Sequence, residues 1–423
     1  MKNSFIIKGD ICYSEGPNHL VTHTDGYVVC VDGISKGIYT DVPHAYQDLE
    51  VMDCTGQVIM PGLVDLHVHA PQYHFRGLGM DLELLDWLNT YTFPHEARYS
   101  DEAYARADYT HFVEELAKSA TTRAVIFATL HVPGTIILMD YLEQTGLITY
   151  VGKVNMDRNG IPELEEQDAE TSAKATVDWL EAIAGKYENT LPIITPRFIP
   201  SCTDELMDKL SKIRRDYDLP VQSHLSENPS EVAWVKDLVP SSRCYGDAYA
   251  MFDLFGNDAK TVMAHCVWSD AEEQALIKDR GVFIAHCPDS NTNLASGIAP
   301  LRQFLSDGQK IGLGSDVAGG SCLNMFQHMV EAIQSSKLRW RLVDDTLSPI
   351  GVEEAIYLAT LGGGEFFGQV GSFKDGYEFD AIVIDDEEFR TDDLSLHQRV
   401  ERIVYCADAS HLTHKFVKGK QLF

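Results

Sequence analysis

The 423-residue chain carries 34 Lys and Arg against 64 Asp and Glu, a net charge of −30, and 44% of its residues are apolar. That apolar fraction is ordinary for a globular protein, and the length suffices to bury a large core. A surface so negative repels phosphate backbones and acidic membranes, which sets nucleic-acid and membrane binding aside as main activities.

Residues 1 to about 60 read as short strands. The stretch 5–13 alternates loosely, 27–31 is β-rich, and Asp25-Gly26 and Asp32-Gly33 are hairpin-type dipeptides. From there to about residue 371, eight apolar, β-branched runs recur, at 57–69, 123–131, 147–157, 191–198, 219–224, 260–265, 281–286 and 310–316. Segments with helical periodicity lie between them, among them 101–118, 172–183, 203–217 and 270–278. The closing stretch returns to β character at 380–384 and 402–405, with Lys418-Gly419-Lys420 as a turn.

Strand–helix alternation repeated eight times predicts an α/β fold, a (β/α)8 TIM-like barrel over residues 61–371. The two β-rich ends, 1–60 and 372–423, predict a small composite β-sandwich domain built from both termini. A doubly wound open sheet is the structural alternative. The barrel is preferred because most runs end in a chemically capable residue: His67 and His69, His131, Asp157, Arg197, His224, His265, His286 and Asp316. A barrel gathers the C-terminal ends of its strands around one mouth.

Nine cysteines are scattered through the chain without a CxxC pair. That suits free thiols in a reducing cytosol better than a disulfide framework or a zinc ribbon. The opening residues 1–8 hold too short an apolar stretch for a signal peptide. The longest uncharged apolar run, 124–139, contains His131, Pro133 and Gly134 and falls short of the ~20 residues a membrane helix needs. The expectation is a cytoplasmic protein.

His67 and His69 stand two apart in a strand, so both imidazoles face one side and can reach one ion. His224 ends the fifth run, His265 the sixth and Asp316 the eighth. Imidazole nitrogen and carboxylate oxygen suit Zn2+ or Fe2+, and these strand ends offer no thiolate. The fourth run holds no lysine that would bridge two ions, which favours one metal with an open position for water. Glu227, three residues after His224, is placed to shuttle protons. Asp316 can bind the metal and receive the water proton, and His265 is placed to orient the water.

The sequence Met60-Pro61-Gly62-Leu63-Val64-Asp65-Leu66-His67-Val68-His69 resembles the opening signature of the amidohydrolase superfamily. His224, His265 and Gly314-Ser315-Asp316 fall where that family places its later ligands. Further stretches match a purine-deaminating branch in order: Ala70-Pro71-Gln72-Tyr73, 81–88, 91–96, 152–157, Pro196-Arg197-Phe198, 223–228, Ala264-His265-Cys266 and 316–320. The resemblance covers essentially the whole chain.

It implies one Zn2+ per chain held by His67, His69, His224 and Asp316, with Glu227 as proton shuttle and His265 orienting the water. It implies Gln72 and Arg197 on the purine edge, with Arg197 on the carbonyl oxygen, and Phe198 and Trp87 packed on the base. An arginine fork donates to acceptors and a glutamine both accepts and donates, which suits such an edge. The implied activity is hydrolytic deamination of guanine to xanthine and ammonia, and the implied assembly is a homodimer. The rivals are another heterocycle, whether an oxidised purine, a pterin or a triazine, and a scaffold that has lost catalysis. The complete ligand set speaks against the scaffold. His131, Asp157 and His286 are left without a role.

Overall fold

The run 57–69, read above as one strand, is two. In the computed structural model, which describes residues 4–391 and 393–423, Val51–Pro61 joins a sheet of the chain termini and Leu63–His69 opens the barrel. Gly62 makes the break. A Cβ there would meet Thr122 Oγ1 at 2.3 Å, so only glycine lets the chain pass the second barrel strand this closely. The first three residues of the opening 1–8 stretch lie outside the described residues.

Two four-stranded parallel sheets build the barrel wall. Leu63–His69, Thr121–Phe127, Ile148–Gly152 and Thr190–Pro192 form one. Val221–Leu225, Thr261–His265, Phe283–His286 and Lys310–Leu313 form the other. At one seam Ile194 bridges Val221 in parallel. At the other, the Asp316 N–H donates to the His67 carbonyl at 2.8 Å and the His69 N–H donates to the Val317 carbonyl at 3.1 Å. The result is a TIM-barrel-like α/β fold. Leu63–His69 and Thr121–Phe127 are buried at every position, as strands covered on both faces must be.

The fourth run is broken into Thr190–Pro192 and Thr195–Pro196, the second piece pairing with Val154–Asn155. Pro192 and Pro196 carry no N–H to donate to a ladder, which limits regular pairing there. The helices start where side chains cap them. Asp101 accepts from the N–H groups at the start of Glu102–Lys118, Thr203 from that of Leu206 in Asp204–Tyr217, and Asp270 from that of Glu273 in Ala271–Arg280.

Both ends of the chain meet in one seven-stranded sheet. Its order is Lys420–Gln421, Leu412–Val417, Ala381–Ile384, Val51–Pro61, Phe5–Gly16, His19–Val31 and Ile34–Tyr39. Ile7, Ile11, Val28, Phe379 and Phe416 form a core of their own beneath it. Asp32-Gly33 is the expected hairpin turn: Val31 pairs with Ile34, and both turn residues have positive φ, 52° and 80°. Asp25-Gly26 does not turn the chain. It sits inside His19–Val31 at a bulge, where the register shifts between Gly9 and Ile11 and Asp25 takes φ 51°.

The stretch 402–405 is helical rather than β. Helix Leu396–Cys406 opens on a reciprocal cap between Ser395 and Gln398 and buries Leu396, Val400, Ile403 and Val404 on one face. That helical spacing outweighs the β-branched content. Arg123 ties the sheet to the barrel, donating to Asp380 Oδ2 and Glu378 Oε2 at 2.6 Å each. No helix among the described residues is long and apolar enough to cross a membrane.

Candidate active site

His67 and His69 leave the last turn of pleat in Leu63–His69, and His224 lies in Val221–Leu225, across the barrel axis. His265 ends Thr261–His265, and Asp316 stands three residues past Lys310–Leu313. Their reactive atoms converge. Asp316 Oδ1 lies 3.1 Å from His67 Nε2 and 3.5 Å from His69 Nε2, while Asp316 Oδ2 lies 3.6 Å from His265 Nε2. His69 Nε2 and His224 Nε2 are 3.1 Å apart. His265 and Asp316 adopt φ of 76° and 46°, a region that L-residues hold only when the surroundings enforce it, as at functional sites.

The donor set fits a cation. His224 Nδ1 donates to the Arg197 carbonyl at 2.6 Å, which leaves Nε2 as a bare lone pair. His67 Nε2, which faces Asp316, has no hydrogen-bond partner among the described residues. Burial first, and the neighbouring His67 second, push both His69 and His224 well below the ordinary histidine pKa, so both rings are neutral. Burial works to raise the Asp316 carboxyl, but the imidazoles of His67, His265 and His69 outweigh it and hold it far below the usual carboxylate range. Neutral nitrogens and one carboxylate oxygen converging in a buried space are what a borderline divalent ion takes. His67, His69 and His224, and likewise His67, His265 and Asp316, offer ligand atoms within 4.8 Å of one another.

Glu227 follows His224 by three residues and points into the same space. Its Oε2 lies 3.3 Å from His265 Nε2, and Ser296 Oγ donates to its Oε1 at 3.2 Å. Burial, reinforced by Asp316, raises its carboxyl well above the usual range. Glu231 accepts the Glu227 N–H at 2.9 Å, and burial together with Glu227 raises the Glu231 carboxyl to about 7. His265 Nδ1 donates to Asn291 Oδ1 at 2.9 Å, which turns its Nε2 toward Glu227 and Asp316.

The residues expected on the substrate edge line the same pocket: Gln72, Trp87, Arg197 and Phe198, with His69, His224, Glu227, His265 and Asp316. Gln72 lies in the 3-10 turn Ala70–Phe75 directly after His69, and Arg197 follows the short strand Thr195–Pro196. Trp87 Nε1 donates to the Leu78 carbonyl at 2.9 Å, which anchors the indole. Leu84, Leu88 and Leu294 complete an apolar wall.

Several further residues support the site without a role evident from the sequence. Asp65 accepts from the His67 N–H at 3.1 Å, the Ser315 N–H at 2.9 Å and Ser315 Oγ at 2.5 Å, joining the first strand to the segment after the last one beneath the His–Asp cluster. The signal was a lone carboxylate inside an apolar strand. Glu96 pairs with both Gln72 and Arg197, Nη1 of Arg197 lying 2.5 Å from its Oε2. Asn291 and Ser296 gave no local signal.

Asp157 is removed from the mouth chemistry. Its carboxylate accepts from Thr203 N–H at 2.8 Å and Thr203 Oγ1 at 2.5 Å, fixing the start of a helix. His131 precedes helix Val132–Thr145 and His286 ends Phe283–His286. Neither lines the pocket.

A barrel with this mouth has the architecture of a metal-dependent hydrolase. The chain belongs to the amidohydrolase family, whose model matches residues 58–422. It is similar to a guanine deaminase of Mus musculus, 40% identical over 382 residues that cover 86% of this chain and 83% of that one. A guanine deaminase of Escherichia coli is 34% identical over 386 residues, covering 89% and 85%. A crystal structure of guanine deaminase from C. acetobutylicum, with guanine bound in its active site, is 43% identical with a TM-score of 0.96, covering 99% of this chain and 100% of that one.

Proposed function

We propose that this protein hydrolyses guanine to xanthine and ammonia at one Zn2+ per chain, Fe2+ being the alternative ion. The observation that carries the reading is one pocket in which a His–Asp cluster and Glu227 face Gln72 and Arg197. The guanine deaminases that this chain resembles support the choice of base.

His67, His69, His224 and Asp316 Oδ1 would hold the ion. When bound, a divalent metal supplies Lewis acidity that makes water a nucleophile near neutral pH. Asp316 Oδ2, turned toward His265, takes the proton that water loses, and His265 Nε2 orients the water. Glu227, its carboxyl raised by burial, gives a proton to the ring nitrogen beside the amino-bearing carbon; the departing amine takes the proton held by Asp316, and the hydroxyl left on the ring carbon returns its proton to Glu227 as the C–N bond breaks. Water adds, ammonia leaves, and the ring carbon keeps the oxygen, so guanine and water balance xanthine and ammonia. Arg197 donates to the base carbonyl, Gln72 pairs with the edge beside it, and Phe198 and Trp87 pack on the ring.

The same reading divides the chain into a β-sandwich domain of residues 1–60 and 372–423 and a barrel of 61–371. The sheet that both termini share supports the division. A homodimer rests on the family resemblance, and a cytoplasmic setting on the cysteine pattern.

The test is a substrate screen on purified protein, reading xanthine and ammonia together. Stoichiometric release of both from guanine, abolished by a chelator and restored by zinc, is expected. Ammonia from a pterin or an oxidised purine, or turnover of a triazine, with none from guanine, would overturn the choice of substrate.

A further inference from the structure

We propose that Glu96 is the positioning residue that sets which base edge the pocket accepts, by holding the Gln72 amide and the Arg197 guanidinium on one carboxylate. The inference rests on the functional reading above and deepens it. Glu96 ends the short helix Phe93–Glu96 and is 2% exposed. Its Oε1 accepts from Gln72 Nε2 at 2.8 Å and from Arg197 Nη2 at 3.1 Å, while its Oε2 accepts from Arg197 Nη1 at 2.5 Å. Gln72 comes from the end of the first strand and Arg197 from the end of the fourth, so one carboxylate sets the angle between two groups that no shared element aligns.

The carboxylate also decides the polarity of the amide. The other end of Gln72, Oε1, accepts the Ala318 N–H at 3.2 Å. A carboxylate only accepts and an N–H only donates, so a single orientation of the amide satisfies both neighbours. A substrate therefore meets the second N–H and the second lone pair of Gln72 in one fixed arrangement. For Arg197, Glu96 engages Nη1 and Nη2 and leaves the remaining N–H donors of the fork for a ligand. The Phe93 ring stands 5.0 Å from the guanidinium carbon and steadies its plane. Glu96 also neutralises Arg197 in a buried place, so the site offers donors without net positive charge and suits a neutral base.

The experiment compares wild type, Glu96→Gln, Glu96→Asp, Arg197→Met and the double variant Glu96→Gln/Arg197→Met, with zinc content and melting temperature measured for each. Glu96→Gln should raise KM for guanine about 10- to 100-fold, the effect of losing a charge-assisted hydrogen bond at the edge, while kcat stays within about threefold. Glu96→Asp, which keeps the charge, should recover part of the loss. If Glu96→Gln does not fold, the double variant still decides, because it removes both buried charges. Its KM should exceed that of Arg197→Met by no more than about tenfold, the share of Glu96 that acts through Gln72 rather than through Arg197. An unchanged KM in Glu96→Gln, a fall in kcat that tracks lost zinc, or a double variant far worse than Arg197→Met would overturn the inference. Wild type that releases no ammonia from guanine would overturn the functional reading and take this inference with it. That result is distinct from an active wild type whose KM ignores Glu96.

Discussion

Two clusters of histidine and carboxylate bring the same kinds of ligand atom together and hold their imidazoles differently. In the first, the Nε2 atoms of His67, His69, His224 and His265 converge with Asp316, that of His67 has no hydrogen-bond partner among the described residues, and burial keeps His69 and His224 neutral. In the second, Asp289, His328 and Glu331 also lie close enough to hold an ion. There both ring nitrogens are in use: His328 Nε2 donates to the Cys322 carbonyl at 2.8 Å and Nδ1 to Glu331 Oε2 at 3.1 Å. Burial pushes the His328 imidazole down, but those acceptors outweigh it and hold it well above its ordinary value. Asp289 Oδ2 is occupied too, by the Ser321 N–H at 2.6 Å and Oγ at 2.7 Å. Proximity of ligand types is thus not what separates a metal site from an ion pair. The use of the ring nitrogens differs instead: His224 and His265 donate only Nδ1 and turn Nε2 inward, whereas His328 engages both.

The largest effect should come from emptying the first cluster. His67→Ala should lose bound zinc and reduce guanine turnover to background, read by metal analysis and an ammonia assay on one preparation. Retained zinc with wild-type turnover would break the contrast. Glu227→Gln should keep the metal and still lose about 10²- to 10⁴-fold in kcat, the range of a general acid–base group. Near-normal turnover in that variant would remove Glu227 from proton transfer.

The smallest effect on turnover, and the sharpest contrast, should come from His328→Gln. Zinc content and kcat should hold, while stability falls by about 1–3 kcal/mol as Glu331 loses its charged partner. The sign with pH follows from the raised folded pKa. The unfolded imidazole titrates near ~6.5, so the stabilisation is complete below that pH and is lost as pH rises through the folded value. Denaturant midpoints of wild type and variant should therefore converge as pH is raised above about 6.5. A constant gap would contradict a charged His328.

Much of the barrel was legible because its strands are buried on both faces and read as apolar runs, with Asp or Thr caps marking the helices between them. The mouth was legible for a related reason: a barrel makes strand ends meet, so His67, His224, His265 and Asp316 announced a shared location. Where local patterns competed, reading failed. At 402–405 helical spacing overrode β-branched residues, at Asp25-Gly26 a bulge imitated a turn, and at Gly62 one glycine divided a continuous apolar run. The supporting carboxylates were illegible for another reason. Glu96 meets Arg197 across 101 residues and Asp65 meets Ser315 across 250, and no local periodicity encodes such a pairing.

The central claim is one catalytic metal at the mouth of the barrel. Stripped protein titrated with zinc tests it most directly, following guanine-dependent ammonia release against metal added. Activity should rise linearly and break at one equivalent per chain, and the break should stay at one in His328→Gln. Activity in the stripped protein, or a break at two equivalents, would contradict the account.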